Sequence, residues 1–303
     1  MDGILPLWKE RGMTSHDCVF KLRKILKTKK VGHTGTLDPE VDGVLPICIG
    51  KATKVVEFLT DTSKAYAGEI TIGIATTTED SQGEVIDQKP VLEPLSKDSI
   101  DEMMASMLGE SIQIPPMYSA VKVNGKKLYE YARKGESVVR PERKIQVTAF
   151  QRTSEPEYHE DTQTMSWRFT VSCGKGTYIR TLAVDLGAKL GYPAFMSDLT
   201  RIKSGTFTEK DCLTLQQVAD AMSAGEMDAH LKPIESVFAD YAHFEIDETT
   251  WQKIKNGAVL ANDDRFKDIE GPFVFVYQDK VVAMYEKHSN KPAFIKPRKM
   301  FLS

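Results

Sequence analysis

Val31-Gly32-His33-Thr34-Gly35-Thr36-Leu37-Asp38-Pro39, continued by Gly43-Val44-Leu45-Pro46, is the stretch on which the reading of this chain turns. Two glycines, two threonines and a proline surround one carboxylate, in a segment too punctuated for a helix or a regular strand. Pro39 disfavours helical backbone at Asp38, while Gly32 and Gly35 let the chain approach a ligand closely. A loop of this kind holds one acid in a fixed direction. An ordinary Gly/Pro turn has the same composition, so the surrounding chain must decide between the two.

Immediately upstream, residues 21–30 carry Lys21, Arg23, Lys24, Lys27, Lys29 and Lys30 without an acid. A second basic run, Lys122, Lys126, Lys127, Arg133, Lys134, Arg140, Arg143 and Lys144, meets only three glutamates, and a third holds Lys287, Lys291, Lys296, Arg298 and Lys299 with none. The net charge is −3 because residues 79–110 and 209–248 are dominated by Asp and Glu. Each run alone reads as a solvated face. Three of them in a chain of net negative charge point to one face that binds a polyanion, RNA or DNA.

At 303 residues the chain can form one large domain and a small one. Cys18, Cys48, Cys173 and Cys212 form no Cys-x-x-Cys pair, which argues against a disulfide framework and a structural zinc site and fits a reducing cytoplasm. No signal-peptide core and no membrane-spanning run is read from the sequence, so a soluble, cytoplasmic, monomeric protein is expected. Periodicity predicts a strand at 4–8, a helix from an N-cap at Ser15 to about 28, a helix at 52–60, a strand at 65–76 and a polar turn at 77–83. A helix at 98–108, strands at 144–152 and 165–173, a helix at 178–189, a strand at 196–203 and a helix near 213–222 follow. Residues 113–135 interleave basic and aromatic side chains around Asn124-Gly125, which suits either an RNA-gripping loop or a hairpin whose tyrosines pack on the core. From about residue 244 a short helix capped by Asp247, a hairpin at 273–285 and a strand at 294–302 predict a small β module.

The stretch 43–52 lacks the spacing and the Ser or Thr of a phosphate loop, the six histidines show no metalloprotease arrangement, and no Gly-x-Ser-x-Gly elbow is present. What remains is a lone carboxylate in a tight loop, a polyanion-binding surface, and Arg180 in Lys175-Gly176-Thr177-Tyr178-Ile179-Arg180. A carboxylate that is desolvated and oriented by a cation can serve as a nucleophile.

Four spaced motifs, Gly32 to Pro39, Lys64-Ala65-Tyr66, Gln113-Ile114-Pro115-Pro116-Met117-Tyr118-Ser119-Ala120 with Lys122-Val123-Asn124-Gly125, and Lys175 to Arg180, occur in this order. Together they resemble the bacterial tRNA pseudouridine synthase B family, whose members modify uridine 55 in the T-loop, and the resemblance covers roughly residues 3–205. It implies that Asp38 is the nucleophile forming an adduct at the uracil ring or the ribose, that Tyr66 stacks on the flipped base and takes part in removing the proton from carbon 5, and that Arg180 pairs with Asp38. His33, Tyr178 and Leu199 fall on positions lining the uridine pocket. It implies no metal and no organic cofactor, and a T-arm of tRNA as partner. Extruding a uridine from a folded loop costs a few kcal/mol, roughly, to be offset by stacking and phosphate contacts. Two places depart from the family: Trp8-Lys9-Glu10-Arg11-Gly12 stands where relatives usually carry Lys-Pro, and Glu40 and Asp42 bring extra acids close to Asp38.

The implied architecture is an α/β (α+β) pseudouridine-synthase fold with a mixed, largely antiparallel central sheet. The catalytic domain spans 1–240 with an RNA-gripping insertion at 113–143, and 241–303 forms a PUA-like RNA-binding domain. Two alternatives stay open at this point: an RNA-binding or tRNA-folding chaperone with dispensable catalysis, and a guide-RNA-dependent synthase.

Overall fold

The computed structural model describes residues 1–301, so the Leu302 end of the last predicted strand lies outside the described residues. Its centre is a sheet ordered Gly3–Lys9, Asp42–Ile49, Ala194–Ser204, Lys64–Ile72, Thr164–Cys173, Arg143–Arg152 and Gly109–Gln113. Every neighbouring pair along that path is antiparallel except Asp42–Ile49 with Ala194–Ser204, which gives the mixed, largely antiparallel sheet expected from sequence. Gly3–Lys9 and Asp42–Ile49 are buried almost throughout. Continuous apolar sequence, not alternation, is what a strand covered on both faces requires. The helix Ile179–Leu190 turns Ile179, Leu182, Ala183 and Leu186 into the cluster that holds Trp167, Phe169, Ile70 and Ile72.

Three expected boundaries shift, each for a local reason. The first helix, Ser15–Ile25, is capped by Thr14 and not Ser15: the Thr14 hydroxyl accepts from the Asp17 N–H while the Asp17 carboxylate accepts from the Thr14 N–H. Ser15 is thereby freed to face inward, where its Oγ donates to Leu37 O at 3.2 Å and accepts from Leu37 N at 2.9 Å, tying the helix to the Asp38 loop. The strand expected over 65–76 breaks at Gly73, whose φ of +106° ends Lys64–Ile72 and starts Ile74–Thr76 as an arm of a separate hairpin. The helix expected over 52–60 begins as a 3-10 turn, Gly50–Val55, and becomes α-helical only at Val56–Thr60.

The 113–135 segment takes the hairpin form that its sequence allowed, with one tyrosine packed inward and one turned to its basic neighbours. Lys122–Val123 and Lys126–Lys127 form a hairpin around Asn124-Gly125, both with positive φ, and the helix Leu128–Lys134 follows. Tyr131 packs inward with its hydroxyl donating to Val123 O, whereas Tyr129 lies between Lys127 and Arg133.

A second sheet, ordered His243–Glu245, Phe273–Tyr277, Lys280–Lys287, Phe294–Met300 and Leu260–Ala261, accounts for the β module. One side of it encloses Phe266, Phe273, Phe275 and Tyr285. Val274, Val281, Met284 and Phe301 instead join Ile4, Val44, Cys48, Val55 and Phe238 from the first unit in one continuous apolar cluster. Phe301 sits 4.9 Å from Phe238, ring centroid to centroid, and Lys299 pairs with Glu57 at 2.7 Å.

Gly43, where the Asp38 loop enters the sheet, is the tightest point of the backbone near the site. Its φ is +121°, and a Cβ there would lie 2.2 Å from Arg201 O and 2.7 Å from Arg201 N. Gly43→Ala is therefore expected to cost about 3 kcal/mol or more through strain and overpacking together. Denaturant unfolding would show it as a lowered midpoint, and a midpoint equal to the parent's would contradict this account.

Candidate active site

Asp38 and Arg180, 142 positions apart by sequence number, meet at 3.0 Å between Oδ2 and Nε. Two elements bring this about. The Asp38 loop is clamped by the Ser15–Leu37 bonds described above, and by Lys9, whose fully buried Nζ donates to Glu10 O at 3.0 Å, Pro39 O at 3.0 Å and Val41 O at 2.7 Å. Arg180 stands in the first turn of the Ile179–Leu190 helix, preceded by Tyr178 as its cap. Only 6% of the Arg180 side chain is exposed, and its remaining nitrogens donate to Thr78 O at 2.8 Å and Tyr118 O at 2.9 Å. All three nitrogens of the guanidinium are held, so the cation is fixed before any ligand arrives.

The pair lines a cavity of about 530 Å³, in the range of small-molecule sites. The cavity wall holds one carboxylate, Asp38, against the cationic side chains of Lys64, Arg143, Lys175, Arg180 and Arg201. His33, Tyr66, Tyr178 and Leu199 line the same space, so all six residues singled out by sequence converge on it. Asp38, 43% exposed, is open to a ligand yet hemmed in by the cavity. Desolvation pushes its pKa above the ordinary carboxylate value, Arg180 pulls the other way, and the like charge of Asp80 adds to the rise.

Tyr66 follows the same logic: desolvation raises the pKa of its phenol, and the guanidinium of Arg201 acts on it in the opposite sense. Arg201 is 2% exposed and bonds through Nε to Val44 O at 2.7 Å. Burial, followed by the charge of Arg201, lowers the pKa of His33, whose Nδ1 accepts from Gly35 N at 3.4 Å. Lys64, 7% exposed, donates to Thr60 O and Thr62 O at 2.6 Å each, and burial, followed by Arg201, pushes it down to about 8. Tyr178 is fixed through its backbone, with its N–H donating to Gln113 Oε1 at 2.8 Å and its carbonyl accepting from Gln113 Nε2 at 3.0 Å.

Sequence reasoning missed Lys9, Asp80, Gln113 and Arg201. Asp80 lies within the segment read only as a polar turn, yet its Oδ2 is 3.9 Å from Arg180 Nε, and the Thr78 carbonyl of the same turn is an Arg180 acceptor. Glu79 between them holds φ at +64°, an uncommon backbone for a non-glycine residue, with its carboxylate accepting from Thr181 Oγ1 at 2.7 Å. A lysine closing an otherwise apolar strand was the one available signal for Lys9. The acids near Asp38 are spent elsewhere: Asp42 accepts from Thr200 Oγ1 at 2.6 Å and pairs with Arg11 at 3.3 Å, and Glu40 is exposed.

The basic runs differ in how free they are. Lys21, Arg23, Lys24, Lys27, Lys29 and Lys30 are exposed, and none pairs with a carboxylate among the described residues. In the third run Lys296 and Arg298 lean on Glu286 at 3.2 and 3.8 Å and Lys299 on Glu57, which leaves less charge for a polyanion than the sequence suggested. Among the described residues no group of three His, Cys, Asp or Glu is placed to hold a metal ion, and no helix is long and apolar enough to cross a membrane.

The chain matches two family models, the TruB family pseudouridylate synthase N-terminal domain over residues 23–179 and the tRNA pseudouridylate synthase B C-terminal domain over residues 180–239. It is 53% identical over 302 residues to tRNA pseudouridine synthase B of Latilactobacillus sakei, covering 100% of this chain and 98% of that protein. With the protein of the same name from Bacillus pumilus it shares 54% over 303 residues, covering 99% and 97%. Among solved structures, a chain in a crystal structure of a Cbf5-Nop10-Gar1 complex is similar, with a TM-score of 0.71 and 26% identity, over 99% of this chain and 85% of that one.

Proposed function

The chain belongs to the TruB family of pseudouridylate synthases, and on that premise we propose that it isomerises uridine 55 in the T-loop of tRNA through a covalent adduct on Asp38. The observation that carries the mechanism is the ion pair of 3.0 Å between Asp38 and Arg180 at the wall of a cavity whose other charged side chains are all cations. An oriented carboxylate, partly stripped of water, is poised to attack an electrophilic carbon of an extruded nucleotide, at the uracil ring or the ribose. The glycosidic bond breaks, the uracil turns, and its carbon 5 bonds to the ribose. The adduct bond to Asp38 then breaks and returns the carboxylate, the proton leaving carbon 5 goes to a base in which Tyr66 takes part, nitrogen 1 takes up a proton, and atoms balance without a cofactor. Tyr66 and Leu199 supply the apolar face for the base, and neutral His33 and Tyr178 complete the wall.

The proposed partner is the T-arm, gripped by the 113–143 insertion and by the exposed basic helix beside the Asp38 loop, with the PUA-like module at 241–303 as a further contact. Purified protein incubated alone with an unmodified tRNA transcript should produce pseudouridine at position 55. Product elsewhere would redirect the substrate assignment, and a need for an added guide RNA would favour the guide-dependent reading. The insertion should gain hydrogen-exchange protection on binding RNA, whereas equal protection in both states would speak against its gripping role.

Lys64 gives the site a pH dependence of its own. Because its pKa is pushed down to about 8, the charge it contributes to the cavity is lost as pH rises through that value. Affinity for a T-arm stem-loop is expected to fall about three- to tenfold between pH 7 and 9. Lys64→Gln should flatten that dependence; an identical pH profile in parent and variant would assign the effect to another group.

A further inference from the structure

Ser119 stands in the wall of the cavity with only 5% of its surface exposed, and its hydroxyl meets no hydrogen-bond partner among the described residues. The backbone around it is already committed. Tyr118 O accepts from Arg180, Ser119 O accepts from Tyr129 N at 3.1 Å, and Val121 O accepts from Leu128 N at 2.8 Å. A buried hydroxyl left unpaired costs about 1–3 kcal/mol, and alanine would fill the same place without that cost. None of the described residues uses the hydroxyl, which leaves it to pair with something that enters the cavity.

We propose that Ser119 is a ribose-binding residue whose hydroxyl pairs with the 2′-hydroxyl of the extruded nucleotide. The inference rests on the reading of the cavity as the uridine site and adds a contact to it. Ser119 directly follows Tyr118, whose carbonyl is held by the same guanidinium that holds Asp38. A group that reaches the Ser119 hydroxyl therefore lies beside the attacking carboxylate, where the nucleotide presents its glycosidic linkage. Three polar groups flank that linkage, the ribose 2′-hydroxyl, the ribose ring oxygen and the uracil O2. The 2′-hydroxyl both donates and accepts, as serine does, so the pair forms in either sense, and it is the group that distinguishes RNA from DNA. A turn of the Ser119 side chain between staggered positions is the movement that brings its shielded oxygen to the ligand.

The test is a cycle of two proteins and two substrates: the parent and Ser119→Ala, each on an all-ribose T-arm stem-loop and on one with 2′-deoxyuridine at the target position. On the all-ribose substrate Ser119→Ala is expected to lower kcat/KM about tenfold, the worth of one hydrogen bond. The parent should lose a similar factor on the deoxy substrate, and the variant no more than that. The same non-additivity should appear in Kd when both proteins carry Asp38→Asn, which keeps the comparison readable if deoxy turnover is slow. The melting temperature of Ser119→Ala should equal or exceed the parent's, since an orphan hydroxyl has been removed. Equal losses on both substrates would assign the contact to the ribose ring oxygen, to uracil O2 or to packing and overturn the proposal, as would no loss on the all-ribose substrate. A parent that makes no pseudouridine on the all-ribose T-arm would instead defeat the functional reading itself, and this inference with it.

Discussion

Asp38→Asn is expected to abolish pseudouridine formation, lowering the single-turnover rate by at least about four orders of magnitude while T-arm affinity stays within a few-fold of the parent. Asparagine keeps the shape and one acceptor oxygen but cannot form the adduct. Affinity is expected to rest on other groups, the exposed cations of the first helix and the insertion. Residual product from the variant would remove Asp38 from the role of nucleophile. The same substitution has a signed effect on stability. The pKa of Asp38 is raised in the folded protein, so its contribution is fully present below the unfolded value of about 3.9 and is lost as pH rises through the folded one. At neutral pH the charged carboxylate is a cost of keeping the site. Asp38→Asn should therefore melt no lower than the parent at pH 7, with the gap closing in acid.

The second large effect is at Arg180. Lysine at this position keeps a positive charge but loses the planar fork that reaches Asp38, Thr78 O and Tyr118 O at once. Arg180→Lys is expected to cost about a hundred- to a thousandfold in kcat, the range for losing one preorganised electrostatic contact. Arg180→Met goes further. It leaves two carbonyls and a carboxylate without their donor, for a loss of about 2–3 kcal/mol in stability. Arg180 is also the strongest influence holding the Asp38 carboxyl down against desolvation. Without it the acid limb of the pH–rate profile should move to higher pH, since the carboxylate must be ionised to attack. A limb that stays in place while kcat falls would show that Arg180 acts on something other than Asp38.

Asp38 and Arg180 stood out as candidates because each sits in a short segment whose glycines, proline or neighbouring cations leave a local trace, whereas Tyr66 was singled out only through the family resemblance of Lys64-Ala65-Tyr66. The sheet was legible for a related reason: its strands are long apolar or alternating runs whose period survives in one dimension. Asp80 left no such trace, and Gln113 showed only as the first residue of a motif, without its role. Their roles exist only where the 77–83 turn and the start of the insertion come against the Ile179–Leu190 helix, and nothing in the spacing of Thr78, Asp80 and Arg180 announces that meeting. Arg201 looked like one more cation in a strand, and only its burial beside Tyr66 separates it from Lys203 two residues on, which is exposed. Ser15 shows the limit at finer scale: either Thr14 or Ser15 could cap the first helix, and the demand of the Leu37 backbone for a partner settles the choice.

The apolar cluster that joins Val274, Met284 and Phe301 to Ile4, Val44 and Phe238 makes the two units one thermodynamic body. Each sheet has one core of its own and shares another, in which the second supplies the cover for the back of the strand that leads out of the Asp38 loop. Heating should yield a single calorimetric transition and not two. A chain cut after residue 240 should lose the scaffold of Asp38 as well as the RNA contact proposed for the module, so that erosion of the C-terminal segment by proteolysis would register at a carboxylate some two hundred positions away.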